Sequence, residues 1–218
     1  MSRGSAAVAF SLFALLAMPA PARTVVTVVG QVQLVRAERT APATAGMLLE
    51  QGDELVSGES AEAMVRFDDG GRLALRPDSR VVFKQLPDAS RARFSQKLVK
   101  VARGQMRYVS GHKRSRHAMF ETLTATIGIR GTDIEIAISE VPVDTDPPGT
   151  FLKVRKGLAF IRATDGTEAD VAAGQVAFGG EPELVARGSG GQRRPAARPA
   201  SARARELFKP GQLDRVLK

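Results

Sequence analysis

The chain of 218 residues has no cysteine and no tryptophan, one tyrosine and two histidines. Without cysteine there is no disulfide framework, no thiol nucleophile and no cysteine-ligated metal site. Two imidazoles are too few for a histidine-rich metal centre. No serine stands in a nucleophile-elbow context, and no glycine-rich loop has the spacing that cradles phosphate. The sequence therefore offers no catalytic constellation, and it points to no cofactor and no small-molecule substrate. It also lacks, beyond its first 22 residues, any strong helical period of apolar positions; the one weak trace lies near the carboxy end.

Positive charge is present but unevenly placed. The formal net charge is +9; residues 187–218 hold nine basic and two acidic side chains, which leaves 23–186 close to neutral. The basic character thus belongs to a tail. A nucleic-acid-binding domain carries its charge on the folded surface as a patch or stripe, so nucleic acid is not the expected partner.

At the amino terminus Arg3 precedes an apolar run over 6–18, interrupted by Ser11, and then Pro19, Ala20, Pro21 and Ala22. This is the three-part layout of a secretory signal peptide, with alanine at −3 and −1 of a cut after Ala22. The run is shorter than the roughly 18–20 residues that span a bilayer. The expectation is export with cleavage after Ala22 and a periplasmic or secreted mature chain; retention of 1–22 as an anchor is the alternative.

From 25 to 180 the dominant period is two, the period of a strand with one buried face. Ala63, Val65 and Phe67 alternate with Met64 and Arg66; Asp68, Asp69, Gly70 and Gly71 supply turn chemistry; Leu73 and Leu75 then resume the alternation. That is a hairpin signal. Gly-Gln followed by apolar residues two and four positions after the glycine recurs at Gly30, Gly104 and Gly174, with a degenerate copy at Gly157. The spacing is irregular, so no regular solenoid is indicated. The expected fold is all-β: stacked antiparallel short strands, as a jelly-roll-like sandwich or an irregular β-helix.

Residues 122–138 carry the sharpest local signal. Ile127 and Ile129 sit at odd positions, whereas Ile134, Ile136 and Ile138 sit at even ones. A one-residue slip reverses the face a strand buries. A turn or bulge must therefore lie between 129 and 134, and Gly131 is its natural place.

This segment resembles the FecR domain of bacterial iron-citrate signal transducers and their exported relatives. Thr122, Ala125, Gly128, Arg130, Gly131 and Thr132 match that family's hallmark, with Ile127, Ile129 and Ile134 as its apolar positions. Leu123 replaces a proline and Ile129 a valine. Gly52, Asp53, Gly58, Phe67, Gly70, Pro77, Gly157 and Gly174 fit its flanks in order, so the resemblance runs over 25–180. It implies a non-enzymatic, extracytoplasmic β module that binds another cell-envelope protein. In signalling members such a module relays receptor occupancy at the outer membrane to a sigma-factor regulator. Those members carry a cytoplasmic segment before a membrane helix. Only a few residues precede the apolar run here, so a free exported module is expected, with the membrane-anchored regulator as the alternative.

Arg130 is expected to be structural, its guanidinium held by Asp133 or by turn carbonyls. Asp68, Asp69, Asp144 and Asp146 read as turn residues, and 144–149 as an exposed insertion. His112, Lys113, Arg114 and Arg116 form a basic loop that, with Arg193, Arg194 and Arg198, offers contacts to an anionic membrane surface or polymer. Residues 187–205, without a large apolar side chain, are expected to be a disordered basic linker. Residues 206–218 regain Leu207, Phe208, Leu213, Val216 and Leu217 as a short amphipathic segment broken at Pro210 and Gly211.

Overall fold

A computed structural model describes residues 24–86, 96–111, 117–181, 183–185 and 192–217. The export segment 1–22 and the basic loop residues His112, Lys113, Arg114 and Arg116 lie outside these residues. So does the 187–191 part of the expected linker.

The described residues are all-β. The strands are β1 (Thr24–Val29), β2 (Val32–Arg36), β3 (Arg39–Pro42), β4 (Glu54–Ser57), β5 (Glu62–Arg66), β6 (Arg72–Leu75), β7 (Arg80–Gln85), β8 (Lys97–Arg103), β9 (Gln105–Val109), β10 (His117–Glu121), β11 (Ala125–Ser139), β12 (Gly149–Ala163), β13 (Glu168–Ala172), β14 (Val176–Gly179), β15 (Glu183–Val185), β16 (Gln192–Arg194) and β17 (Ala197–Pro199). Two 3₁₀ segments follow, Ala202–Leu207 and Gln212–Arg215. Pro210 and Gly211 separate them, as the sequence indicates.

Fifteen strands share one hydrogen-bonded sheet, and β15 pairs with β16 separately. The sheet folds on itself through the long hairpin β11–β12. Residues 126–130 of β11 pair with β10, and residues 133–137 of the same strand pair with β9. One half of the sheet therefore runs β1-β5-β6-β9 into the second part of β11. The other runs β3-β2-β4-β7-β8-β10 into the first part. The strand changes partner where isoleucine parity changes. Register with β12 shifts between Arg130 and Asp133, where Gly131 takes φ +67°, and shifts back by Ile134. The compensating residue is on β12, beside Gly157 at φ +81°. A Cβ on Gly157 would sit 2.8 Å from the Gly131 carbonyl oxygen, so both strands kink at one place. Ile127, Ile129, Ile134 and Ile136 are all buried as a result. One pairing departs from the antiparallel expectation: β8 and β10 are parallel.

The two halves face each other across an aromatic row. Phe67, at the end of β5, meets Phe83 of β7 at 6.3 Å between ring centroids and Tyr108 of β9 at 6.0 Å. Tyr108 in turn meets Phe120 of β10 edge-on at 5.1 Å. Aromatic pairs of this geometry add about 0.5–1.5 kcal/mol each beyond their burial.

The Gly-Gln recurrence has a backbone cause. Gly30, Gly104 and Gly174 each lie at positive φ just before β2, β9 and β14. Gly104 is also crowded: a Cβ there would lie 2.3 Å from Ser79 Oγ and 2.6 Å from the Asp78 carbonyl oxygen, whereas at Gly174 nothing lies within 4 Å. Gly104→Ala should therefore lower stability by about 1–3 kcal/mol. Gly174→Ala should lose only the backbone part, about 1 kcal/mol. Thermal unfolding of the two variants side by side checks the ordering; equal shifts would count against close approach at Gly104.

The carboxy-terminal part corrects two expectations. Residues 196–205 are not a free linker: β17 pairs with β14, and Ala196, Ala197 and Ala204 are buried. Nor is 144–149 wholly exposed, because Asp146 is buried and accepts hydrogen bonds from Arg198 Nη2 (2.8 Å) and Ser201 N (2.7 Å). The linker reading fails because alanine, glycine and arginine can pack when a partner surface already exists. Here Ala204 and Phe208 lie on Ala137, Phe151, Val176 and Phe178. Leu213 and Leu217 lie on Met64 and Ala74. Residues 197–217 thus strap the outer face of the first half-sheet.

Candidate functional site

Strand alternation decides which charges meet on that outer face. In β5, Ala63 and Val65 point inward, so Glu62 and Met64 point out; in β9, Met106 and Tyr108 point inward, so Arg107 points out; beyond the bulge, Ile134 and Ile136 point inward, so Asp133 and Glu135 point out. Arg107 holds Asp133 through two bonds, Nε to Oδ1 at 2.9 Å and Nη2 to Oδ2 at 2.7 Å. Its remaining Nη1 reaches Asp214 Oδ1 in the strap at 2.8 Å, and Arg76 Nη2 reaches the same oxygen at 2.6 Å. Glu62 accepts the backbone N–H groups of Gln212 and Leu213, each at 2.9 Å. Arg155 Nη1 bonds Glu135 at 2.7 Å.

The electrostatics follow from this geometry. The Asp133 hydrogen bond, the largest influence, pushes the Arg107 guanidinium up, against burial. Burial pushes the Asp214 carboxyl up, but hydrogen bonds from Arg107 and Arg76 outweigh it and leave the group below the ordinary carboxylate range. Asp133 is thus tied to Arg107, 26 positions away. The Arg130 side chain lies outside the described set.

The remaining hallmark residues build the turn from β10 into β11. Thr122 Oγ1 accepts the Ala125 N–H at 2.9 Å and meets Thr150 Oγ1 at 2.7 Å. Thr124 Oγ1 donates to the Gly179 carbonyl at 2.9 Å. Gly128 faces Phe160, and a Cβ there would fall 2.1 Å from the ring. Thr132 is buried at the bulge, its N–H donating to Ser110 Oγ at 2.9 Å. These hydroxyls turn Leu123 outward, where it is 84% exposed. Leu123 stands between two clefts. One, of about 480 Å³, is walled by Thr124, Ile138, Pro147, Pro148 and Thr150, with Glu140 and Glu181 also lining it. The other, of about 220 Å³, carries Lys84, Lys100, Arg162 and Glu121. Nothing at 1–2 residues' spacing announces these clefts, because their walls come from separate strands; the exposed Leu123 is the one signal visible in sequence, as the substituted proline.

Of the basic residues proposed for anionic contact, Arg198 is engaged within the fold. It pairs with Asp146 and stacks over Phe178 at 4.4 Å from the ring centroid. It is therefore not a surface anion contact, because the strap turns it inward. Arg193 and Arg194 lie in β16, their side chains outside the described set. Among the described residues no group of three or more histidine, cysteine, aspartate or glutamate side chains could hold a metal ion. No described helix is long and apolar enough to cross a membrane.

Comparison with known proteins bears on the same body. The family model described as FecR protein matches residues 53–177, more than half of the chain. The chain belongs to the FecR family. The FecR match spans the folded corner, the Thr122 turn and Arg107, and ends before the strap. No curated protein matches. Two crystal structures of a proposed anti-sigma factor from Parabacteroides distasonis ATCC 8503 are similar to it, at TM-score 0.47 with 10% and 11% identity. Each comparison covers 68% of this FecR chain and 60% of the other. The FecR family is regulatory and in general non-enzymatic.

Proposed function

We propose that this chain is an exported, non-enzymatic interaction module of the bacterial cell envelope that signals by binding another envelope protein. The observation that carries the reading is the pairing of FecR family membership with the Leu123 turn. Its hydroxyls are engaged within the turn and by Thr150 and Gly179 of the neighbouring strands, while the apolar Leu123 projects between clefts. An exposed leucine flanked by concave walls suits an extended peptide segment with an apolar anchor, and a partner protein supplies one. Inward pairing of Arg76, Arg107 and Arg198 favours a protein partner over an anionic polymer.

The test is site-specific photo-crosslinking in a bacterial envelope, with the photoreactive residue at Leu123 and, as control, at the exposed Thr40 of β3. One discrete protein adduct is expected from position 123 and not from position 40. The amino terminus of the adduct is expected to be Arg23. Identical adduct patterns from both positions would exclude the turn as the contact, and a chain still beginning at Met1 in the envelope would favour the membrane-anchored regulator.

A further inference from the structure

A charged side chain sits where the strand pattern demands an apolar one. Lys97 opens β8 on the inward face with Val99 and Val101, and it is 1% exposed. Its Nζ lies 4.7 Å from the Phe67 ring centroid and 5.3 Å from that of Tyr108. It is in direct hydrogen-bonding contact with Asp69 Oδ2, itself buried in the β5–β6 turn. Three polar atoms crowd over Gly71: a Cβ there would lie 2.7 Å from Tyr108 Oη, 3.0 Å from Asp69 Oδ1 and 3.1 Å from Lys97 Nζ. A second carboxylate is close enough to act on Lys97. Asp68 has a buried Oδ1 with no hydrogen-bond partner among the described residues.

We propose that Lys97 and Asp69 join through an intramolecular isopeptide bond. Burial beneath the rings lowers the Lys97 pKa, which favours the neutral amine that can act as a nucleophile. The amine nitrogen attacks Asp69 Cγ. An N–C bond forms and a C–O bond breaks, and the oxygen leaves as water. The Lys97 ammonium passes one proton to Asp69 Oδ2 across their hydrogen bond, which frees the amine, and the nitrogen loses a second proton to the same oxygen as the C–O bond breaks, so that oxygen departs as water. Nothing is oxidised or reduced. Two charges held out of water are costly even when paired; the amide removes both. Asp69 lies in one half of the folded sheet and Lys97 in the other, so the bond staples the halves together in a chain that has no cysteine.

The test is peptide mapping of the folded full-length chain after denaturation and trypsin. The expected result is a branched product in which residues 67–72 are joined to residues 94–100, lighter by one water than the two peptides together and uncut after Lys97. Lys97→Arg keeps the charge and cannot bond; it should release 67–72 as a separate peptide. If the folded wild-type chain, with its native far-UV circular dichroism, yields free 67–72 and is cut after Lys97, the proposal is overturned. That outcome leaves the Leu123 reading untouched, because the two sites share no residue.

Discussion

Asp133→Ala should lower the free energy of unfolding by about 3–5 kcal/mol, the range for removing one partner from a buried ion pair. Arg107 would keep its place in β9 with nearly all of its guanidinium out of water and two of its donors empty. Asp214 alone cannot replace Asp133, because it already bridges Arg107 and Arg76 through one oxygen. The kinked corner should loosen as well, since Asp133 is the first residue past the bulge. The double variant Arg107→Leu with Asp133→Leu should recover part of the loss, because two apolar groups leave no charge stranded. Urea unfolding at neutral pH measures both. A single-variant cost under about 1 kcal/mol, the range of an exposed pair, would show that the pair is solvated and that the outer face is open.

The corner was the most legible part of the fold. Parity at Ile127, Ile129, Ile134 and Ile136 is a local property, and a strand must bulge when parity breaks; Gly131 supplies the backbone freedom. The Gly-Gln recurrence was visible as well, and its cause is a positive φ before a strand at Gly30, Gly104 and Gly174. What sequence could not show were the long-range partners. Asp133 stood out only as one of two expected holders of Arg130; its bonds to Arg107 on the next strand of the sheet were not visible. Arg198 read as a surface cation because its neighbours are small and polar; its carboxylate, Asp146, lies 52 positions back. The strap was hidden for the same reason. Composition judges whether a segment can build its own core, whereas Leu213 and Leu217 complete one that Met64 and Ala74 left open. The candidate clefts fall in the same class, because Leu123, Pro147 and Glu181 share them only after β11 and β12 fold back.

Asp214 should govern whether that strap stays down. Its folded pKa lies below the unfolded value of 3.8. A depressed carboxylate contributes stability that is complete above the unfolded pKa and is lost as pH falls through the folded one. The strap should therefore be fully held at neutral pH and should loosen only below pH 3.8, while Leu213 and Leu217 still favour contact. Asp214→Asn removes the charge at every pH. It also leaves Arg76 and Arg107 short of a charged acceptor, and a hydrogen bond to a charged group contributes about 2 kcal/mol. Opening of the strap should then rise about thirtyfold at pH 7. Arg203 and Arg205 are exposed within it, so trypsin cutting there, read at limiting protease, reports the change. Amide exchange at Leu217 should follow the same course in acid for the wild-type chain and show a smaller acid step for Asp214→Asn, in which the Glu62 carboxylate still holds Gln212 and Leu213. Unchanged cutting in the variant would mean that the apolar contacts and the Glu62 bonds hold the strap and that the shared carboxylate is a passenger on the outer face.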